Sequence, residues 1–99
     1  MEKQKEDTPK TIRRADALRE MELREDQYGK RRLYSLQFWK KNGEVVYYAR
    51  CYTCGLPFNL KSNRMRGIQQ CDDHGNKIGH VVPVSIDNLR MYNGQKVVL

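Results

Sequence analysis

Apolar material is scarce in this sequence. Hydrophobic residues fill 38% of its 99 positions and charged residues 31%, and mean hydropathy is −0.88. No apolar run approaches the roughly 20 residues that a membrane-crossing helix needs. Met1–Asp7 is not followed by the apolar stretch of a signal peptide, so the cytoplasm is the expected location. The 3 cysteines cannot all pair within one chain, and without a secretion signal a reducing compartment is expected rather than a disulfide framework. No Gly-rich phosphate loop, Ser-His-Asp arrangement or internal repeat is present, which leaves nucleotide-cradling and acyl-transfer chemistry without a motif. At this length the chain is one small domain, and a multidomain enzyme is excluded. So small a core is commonly reinforced by a metal, a disulfide or a partner.

What the sequence has in excess is positive charge, with 19 Lys and Arg against 12 Asp and Glu and a net charge of +7. Such a balance favours anionic partners, nucleic acid first. Residues 1–32 hold 10 basic and 8 acidic side chains, whereas 33–99 hold 9 and 4. The excess therefore lies mainly in the second segment.

Two regions are expected: a charged, partly helical N-terminal arm over 1–32 and a small β domain over 33–99. In the arm, Thr8-Pro9 suits a helix N-cap and first turn. Ile12, Ala15, Leu18 and Met21 form a narrow stripe, and Gly29 suits the stop, so a helix is read over about 9–27. From Leu33 the period changes to two. Tyr34, Leu36 and Phe38 share one face; Ser35, Gln37 and Trp39 share the other. Asn42-Gly43 marks a hairpin, because both residues tolerate positive φ, and the return strand runs Glu44–Tyr52. Further strands are read over Met65–Cys71 and Lys77–Val84, with Pro83 marking an edge. A second Asn-Gly hairpin spans Leu89–Leu99, although a helical turn over 86–92 also fits. The expected class is mainly β, a small α+β protein: a helical arm and about five short antiparallel strands, ribbon-like or closing into a partial barrel.

The cysteines fall into a pattern. Cys51-Tyr52-Thr53-Cys54-Gly55 and Cys71-Asp72-Asp73-His74-Gly75 are two C-x2-C/H pairs, each trailed by glycine. Tetrahedral zinc takes sulfur and nitrogen ligands, and a two-residue spacer lets a tight turn aim both at one ion. A structural zinc site of Cys51, Cys54, Cys71 and His74 is expected, one ion per chain, with His80 as the alternative fourth ligand. The competing reading makes Cys51 and Cys71 buried strand residues and leaves Cys54 and His74 in ordinary turns.

These paired turns over residues 45–80 resemble the knuckles of a zinc-ribbon domain, with His74 in place of a fourth cysteine. Gly79–Asp87 together with Asn93-Gly94 is similar to short proteins of gut anaerobic bacteria, a resemblance that implies no activity. Gly79-His80-Val81-Val82-Pro83-Val84-Ser85 followed by Asp87-Asn88 is also similar to part of an HNH nuclease motif. That likeness would make His80 the general base and Asn88 its positioning partner. The sequence departs from that motif in having Gly79 before the histidine, no Gly-rich spacer and no final metal ligand.

For nucleic acid, Lys61, Arg64 and Arg66 lie between the two pairs and suit phosphate contacts. Tyr48, Arg50 and Tyr52 alternate along one strand face, which would stack bases and neutralise phosphate if Val45, Tyr47 and Ala49 face the core. The expected function is a zinc-stabilised module that binds nucleic acid, or a nucleic-acid-associated complex, without catalysis. The alternatives are a metal-free protein-interaction module that uses β edges and the helical arm, and a degenerate HNH-like nuclease. Either nucleic acid or a protein is the expected partner, and a membrane is not.

Overall fold

The computed structural model describes residues 10–55 and 64–99. Its elements run β1 Thr11–Arg13, α1 Arg14–Met21, β2 Tyr34–Trp39, β3 Val45–Cys54, β4 Met65–Gln70, β5 Val82–Ser85, β6 Leu89–Tyr92 and β7 Gln95–Val98, with a single 3-10 turn at Ile86–Asn88 before β6. The chain is mainly β, as its alternating segments imply. All seven strands join one open mixed sheet in the order β1-β7-β6-β2-β3-β4-β5, rather than a five-stranded ribbon or partial barrel. One strand, β1, escaped the sequence reading because it draws its stability from distant pairing, whereas β6 is the first strand of the expected second hairpin. β1 runs parallel to β7, with Ile12 opposite Val97, and β6 pairs across to β2 as well as to β7.

Both Asn-Gly signals close hairpins. Asn93 and Gly94 take φ of 50° and 77°, the two positive values that a type I′ turn requires. At the other hairpin Gly43 has φ 89°, and the Asn42 side chain accepts a hydrogen bond from the Glu44 amide at 2.9 Å.

The helix is shorter than its apolar stripe suggests. It begins at Arg14 because Thr11 and Ile12, both β-branched, are held extended by β7; the expected cap at Thr8-Pro9 lies outside the described residues. It ends at Met21 because the chain then folds into a small hairpin over 24–32. There Arg32 N–H donates to the Arg24 carbonyl at 3.1 Å and Asp26 N–H to that of Lys30 at 2.7 Å. The Asp26 carboxylate accepts from the Tyr28 and Lys30 amides, and Gly29, at φ 79°, serves this turn rather than a helix stop.

Nor is the helix a solvated arm. Ala17 and Met21, one turn apart on one face, are both 0% exposed and join Tyr34, Leu36, Phe38, Cys51, Ile68, Val84, Leu89 and Tyr92 in one core. Aromatic pairs fix its centre: Tyr34 lies 5.2 Å from Tyr92 and Phe38 meets the edge of Tyr48 at 5.4 Å. The Asp87 carboxylate ties the start of α1 to the start of β4, accepting from Arg14 and Arg64, both at 2.8 Å. β5 begins at Val82 rather than Lys77. The preceding stretch is irregular, with Gly79 at φ 70°, and Pro83 sits on the outer edge of the sheet where no amide donor is needed.

One irregularity governs which side chains face the core. Tyr34 pairs with Cys51, but Leu36 pairs with Tyr48. β3 thus carries one extra residue, a bulge at Ala49-Arg50. Before it, Val46 and Tyr48 face inward; after it, Cys51 and Thr53 do. Alternation along β3 changes phase at this point.

Candidate nucleic-acid interface

Of the four expected zinc ligands, Cys51 and Cys71 are neighbours, but Cys51 and Cys54 do not share a face. β3 does not turn after Cys51. It continues to Cys54, paired with β4 through Cys51 opposite Gln70 and Cys54 opposite Gly67. Residues three apart on a continuous strand point to opposite faces. Cys51 lies in the core, 0% exposed, with its thiol donating to the Tyr34 carbonyl at 3.3 Å. Burial, then the neighbouring Cys71, pushes the Cys51 thiol up to about 12. Cys54 is half-buried on the reverse side, Cys71 is buried, and His74 is exposed. The expected turn at 72–76 does form, but around Asp72, whose carboxylate accepts from the His74 and Asn76 amides, both at 2.9 Å. These amides, that of Asn76 above all, hold the Asp72 carboxyl below its ordinary range. Among the described residues no three His, Cys, Asp or Glu side chains are grouped to hold a metal. The functional reading is therefore built without a metal. His80 is exposed in the irregular stretch before β5, and Asn88 ends the 3-10 turn.

The expected nucleic-acid contacts are also redistributed. Lys61 lies outside the described residues. Each of the three arginines faces a carboxylate of its own chain: Arg50 meets Asp73 at 3.7 Å, Arg64 meets Asp87 at 2.8 Å, and Arg66 meets Glu22 at 2.9 Å. The Arg64 guanidinium holds the Asp87 carboxyl below its ordinary range. Tyr52 is 4% exposed and covered by the Arg31 guanidinium, 4.1 Å above its ring. Tyr48 is half-buried against Phe38, and that burial raises its hydroxyl pKa. Neither ring offers an open face for a base. The assignment of faces along the first half of β3 is the reverse of the sequence reading.

Val45 and Tyr47, placed inward by that reading, face solvent, and Trp39 does so beside them. Tyr47 is 60% exposed, Val45 46% and Trp39 39%. Gln37 lies opposite Tyr47 and Trp39 opposite Val45, so these side chains share one surface of the sheet. Gln37 also lies opposite Met91, and Met91 opposite Lys96, which carries the same surface across β6 and β7. Arg90 occupies the register shift between β2 and β6. It donates to the Gln37 side chain at 2.9 Å and stacks 5.0 Å from the Trp39 ring. Ser35, Gln37, Tyr47, Met91 and Gly94 enclose a shallow hollow of about 90 Å³ beside the exposed tyrosine. Helix α1 packs against the other face, with the core.

Charge is segregated in the same way. The seven strands carry Arg13, Arg50, Arg66, Arg90 and Lys96 and no Asp or Glu. Every described carboxylate lies in the helix, a turn or a loop. Among the described residues Arg13, Arg90 and Lys96 form no ion pair. This surface could have been read from the first hairpin. The polar residues Ser35 and Gln37 mark the outer face of β2, and the register across Asn42-Gly43 then places Tyr47 beside Gln37.

Comparisons with protein-family models, curated proteins and solved structures return no match. No helix among the described residues is long and apolar enough to cross a membrane.

Proposed function

We propose that this protein binds single-stranded nucleic acid on the outer face of β2, β3, β6 and β7, and acts by occupancy rather than catalysis. One observation carries the reading: exposed Tyr47 and Trp39 lie on a sheet whose strands bear cations and no carboxylate. An exposed aromatic ring stacks on any base, and neighbouring cations neutralise the backbone. Gln37 and Ser35 add short polar groups at the level of the base edges. Among the described residues no helix projects from this face to enter a major groove, so weak sequence preference is expected.

Trp39 is the only tryptophan, which makes its fluorescence a reporter of this surface. Titration with short RNA and DNA oligonucleotides should quench it. Tyr47→Ala should weaken binding by about 1–3 kcal/mol, the value of one stacked base. Arg64→Gln, at a side chain already ion-paired with Asp87, should leave it unchanged. No quenching with either polymer, or equal binding by Tyr47→Ala, would overturn the proposal. A surface that binds a protein instead would show an interaction insensitive to salt and to Arg90→Gln.

A further inference from the structure

A second concave region lies at the far end of β3. Seven residues separate Tyr47 from Cys54, about 23 Å along a strand, and different side chains line the two places. The hairpin over 24–32 faces the end of β3 across a cleft of about 390 Å³ lined by Arg24, Glu25, Gly29, Arg31, Thr53 and Cys54. A neighbouring cleft of about 270 Å³ shares Arg31 and Cys54 and adds Lys77 from the opposite side. Arg24 and Arg31 thus line the first cleft and Arg31 and Lys77 the second, so three cations border the Cys54 end of β3, with Glu25 as the one described carboxylate in either lining. Among the described residues none of the three is in an ion pair, in contrast to Arg50, Arg64 and Arg66.

Each cation is carried on hydrogen-bonded or bridged backbone, and the Arg31 side chain is stacked as well. Arg31 lies face-down on the buried Tyr52 ring at 4.1 Å, a stacking that leaves the N–H edge of a guanidinium available. Arg24 and Arg31 sit on the two sides of the small hairpin, joined by the bridge between Glu25 and Arg31 and the Arg32-to-Arg24 hydrogen bond. Lys77 is bridged to Cys71, and the next amide, Ile78, donates to the Gln70 carbonyl at 2.9 Å. All three cations act on the Cys54 thiol, yet burial outweighs them and its pKa is raised. The positive charge around the thiol exceeds the one carboxylate, Glu25, that shares the cleft.

We propose that these two adjoining clefts bind a phosphoryl-type oxyanion at their shared boundary, through Arg31 with Arg24 on one side and Lys77 on the other. Guanidinium groups offer paired donors to such oxygens and the ammonium supplies a point charge. The larger cleft's volume falls within the range of small-ligand sites, so it admits the group to which the phosphate is attached. The site does not rest on the nucleic-acid reading of the outer face.

The test is an NMR titration of the whole protein with inorganic phosphate and with pyrophosphate, at ionic strength held constant with chloride. The Arg31, Cys54 and Gly55 amide signals should shift and saturate. In the double variant Arg24→Gln/Lys77→Gln, affinity should fall at least about tenfold, the loss expected for charged hydrogen bonds. Both positions are exposed, and an unchanged melting temperature verifies the fold. Tyr47→Ala should leave phosphate binding unaltered. No saturation up to about 50 mM phosphate, or equal shifts in wild type and double variant, would overturn the site and leave the outer-face proposal intact. The source of the phosphate is read by competition. Displacement by a 5′-phosphorylated oligonucleotide but not by its 5′-hydroxyl form supports a strand end, and displacement by a small phosphate ester alone supports a free metabolite.

Discussion

At the scale of single residues, Cys51 is the most informative. Its thiol is buried, donates to the Tyr34 carbonyl, and ionises only near pH 12 in the folded chain. Unfolding returns it to the ordinary thiol range. Between those two pKa values the folded state keeps a proton that the unfolded state has lost, so stability falls as pH rises. The slope is roughly 1.4 kcal/mol per pH unit for one such group. Urea unfolding midpoints should be flat from pH 7 to 8 and fall between about pH 9 and 11. Tyr34, whose hydroxyl burial also pushes up, adds a loss of the same sign above pH 10. Cys51→Ala should remove about one proton's share of the slope while Tyr34's remains, and an unchanged slope in that variant would refute the assignment. The cysteine spacing alone does not distinguish this buried thiol from a ligand. The difference is made by the Cys51–Gln70 and Cys54–Gly67 pairings, contacts to a strand beyond the intervening loop.

At the scale of elements, α1 and the bulge in β3 show where local pattern suffices and where it fails. The period-two segments, both Asn-Gly turns, β4 and the edge position of Pro83 were legible, because alternation and turn chemistry are local. The helix was legible as an amphipathic segment, but its ends were not. Its first expected turn is taken by β1, which only β7 can hold extended. The stripe is also displaced: Ala15 faces solvent and Ala17 the core. Met21 and Leu23 test this placement, since Met21 is 0% exposed and Leu23 55%. Met21→Ala should cost about 2–5 kcal/mol in chemical denaturation, as a buried truncation that leaves a cavity, and Leu23→Ala within about 0.5 kcal/mol. Equal costs would mean that the helix does not pack as described. The bulge was not legible, because Ala49-Arg50 carries no Gly or Pro to announce it. One extra residue there reverses the alternation and brings Tyr52 to the face that carries Tyr47, where the Arg31 guanidinium covers it.

At the scale of the whole molecule, net charge overstates the charge available to a polyanion. The chain carries +7, and binding that used all of it would give a log–log salt slope near −5 on a single strand, at about −0.7 per neutralised phosphate. The fold assigns much of that charge to itself. Asp87 holds Arg14 and Arg64, Glu22 holds Arg66, and Asp73 lies against Arg50. These pairs are exposed and each contributes little to stability, but a phosphate must compete with a carboxylate already in place. The outer face retains Arg90 and Lys96, and Arg13 on the adjoining β1 lies in phase with Lys96. Three contacts predict a slope near −2 for a short single strand. Arg90→Gln should make it shallower by about 0.7, whereas Arg66→Gln should leave it where it is. The same titrations with Asp87→Asn ask whether the carboxylate is what withholds Arg64. That variant should steepen the slope by less than one phosphate's share, because Arg64 lies in the turn just before β4, beyond the outer-face strands. A measured slope near −5 would place the contact surface on the ion-paired arginines and against the assignment to Tyr47 and Trp39.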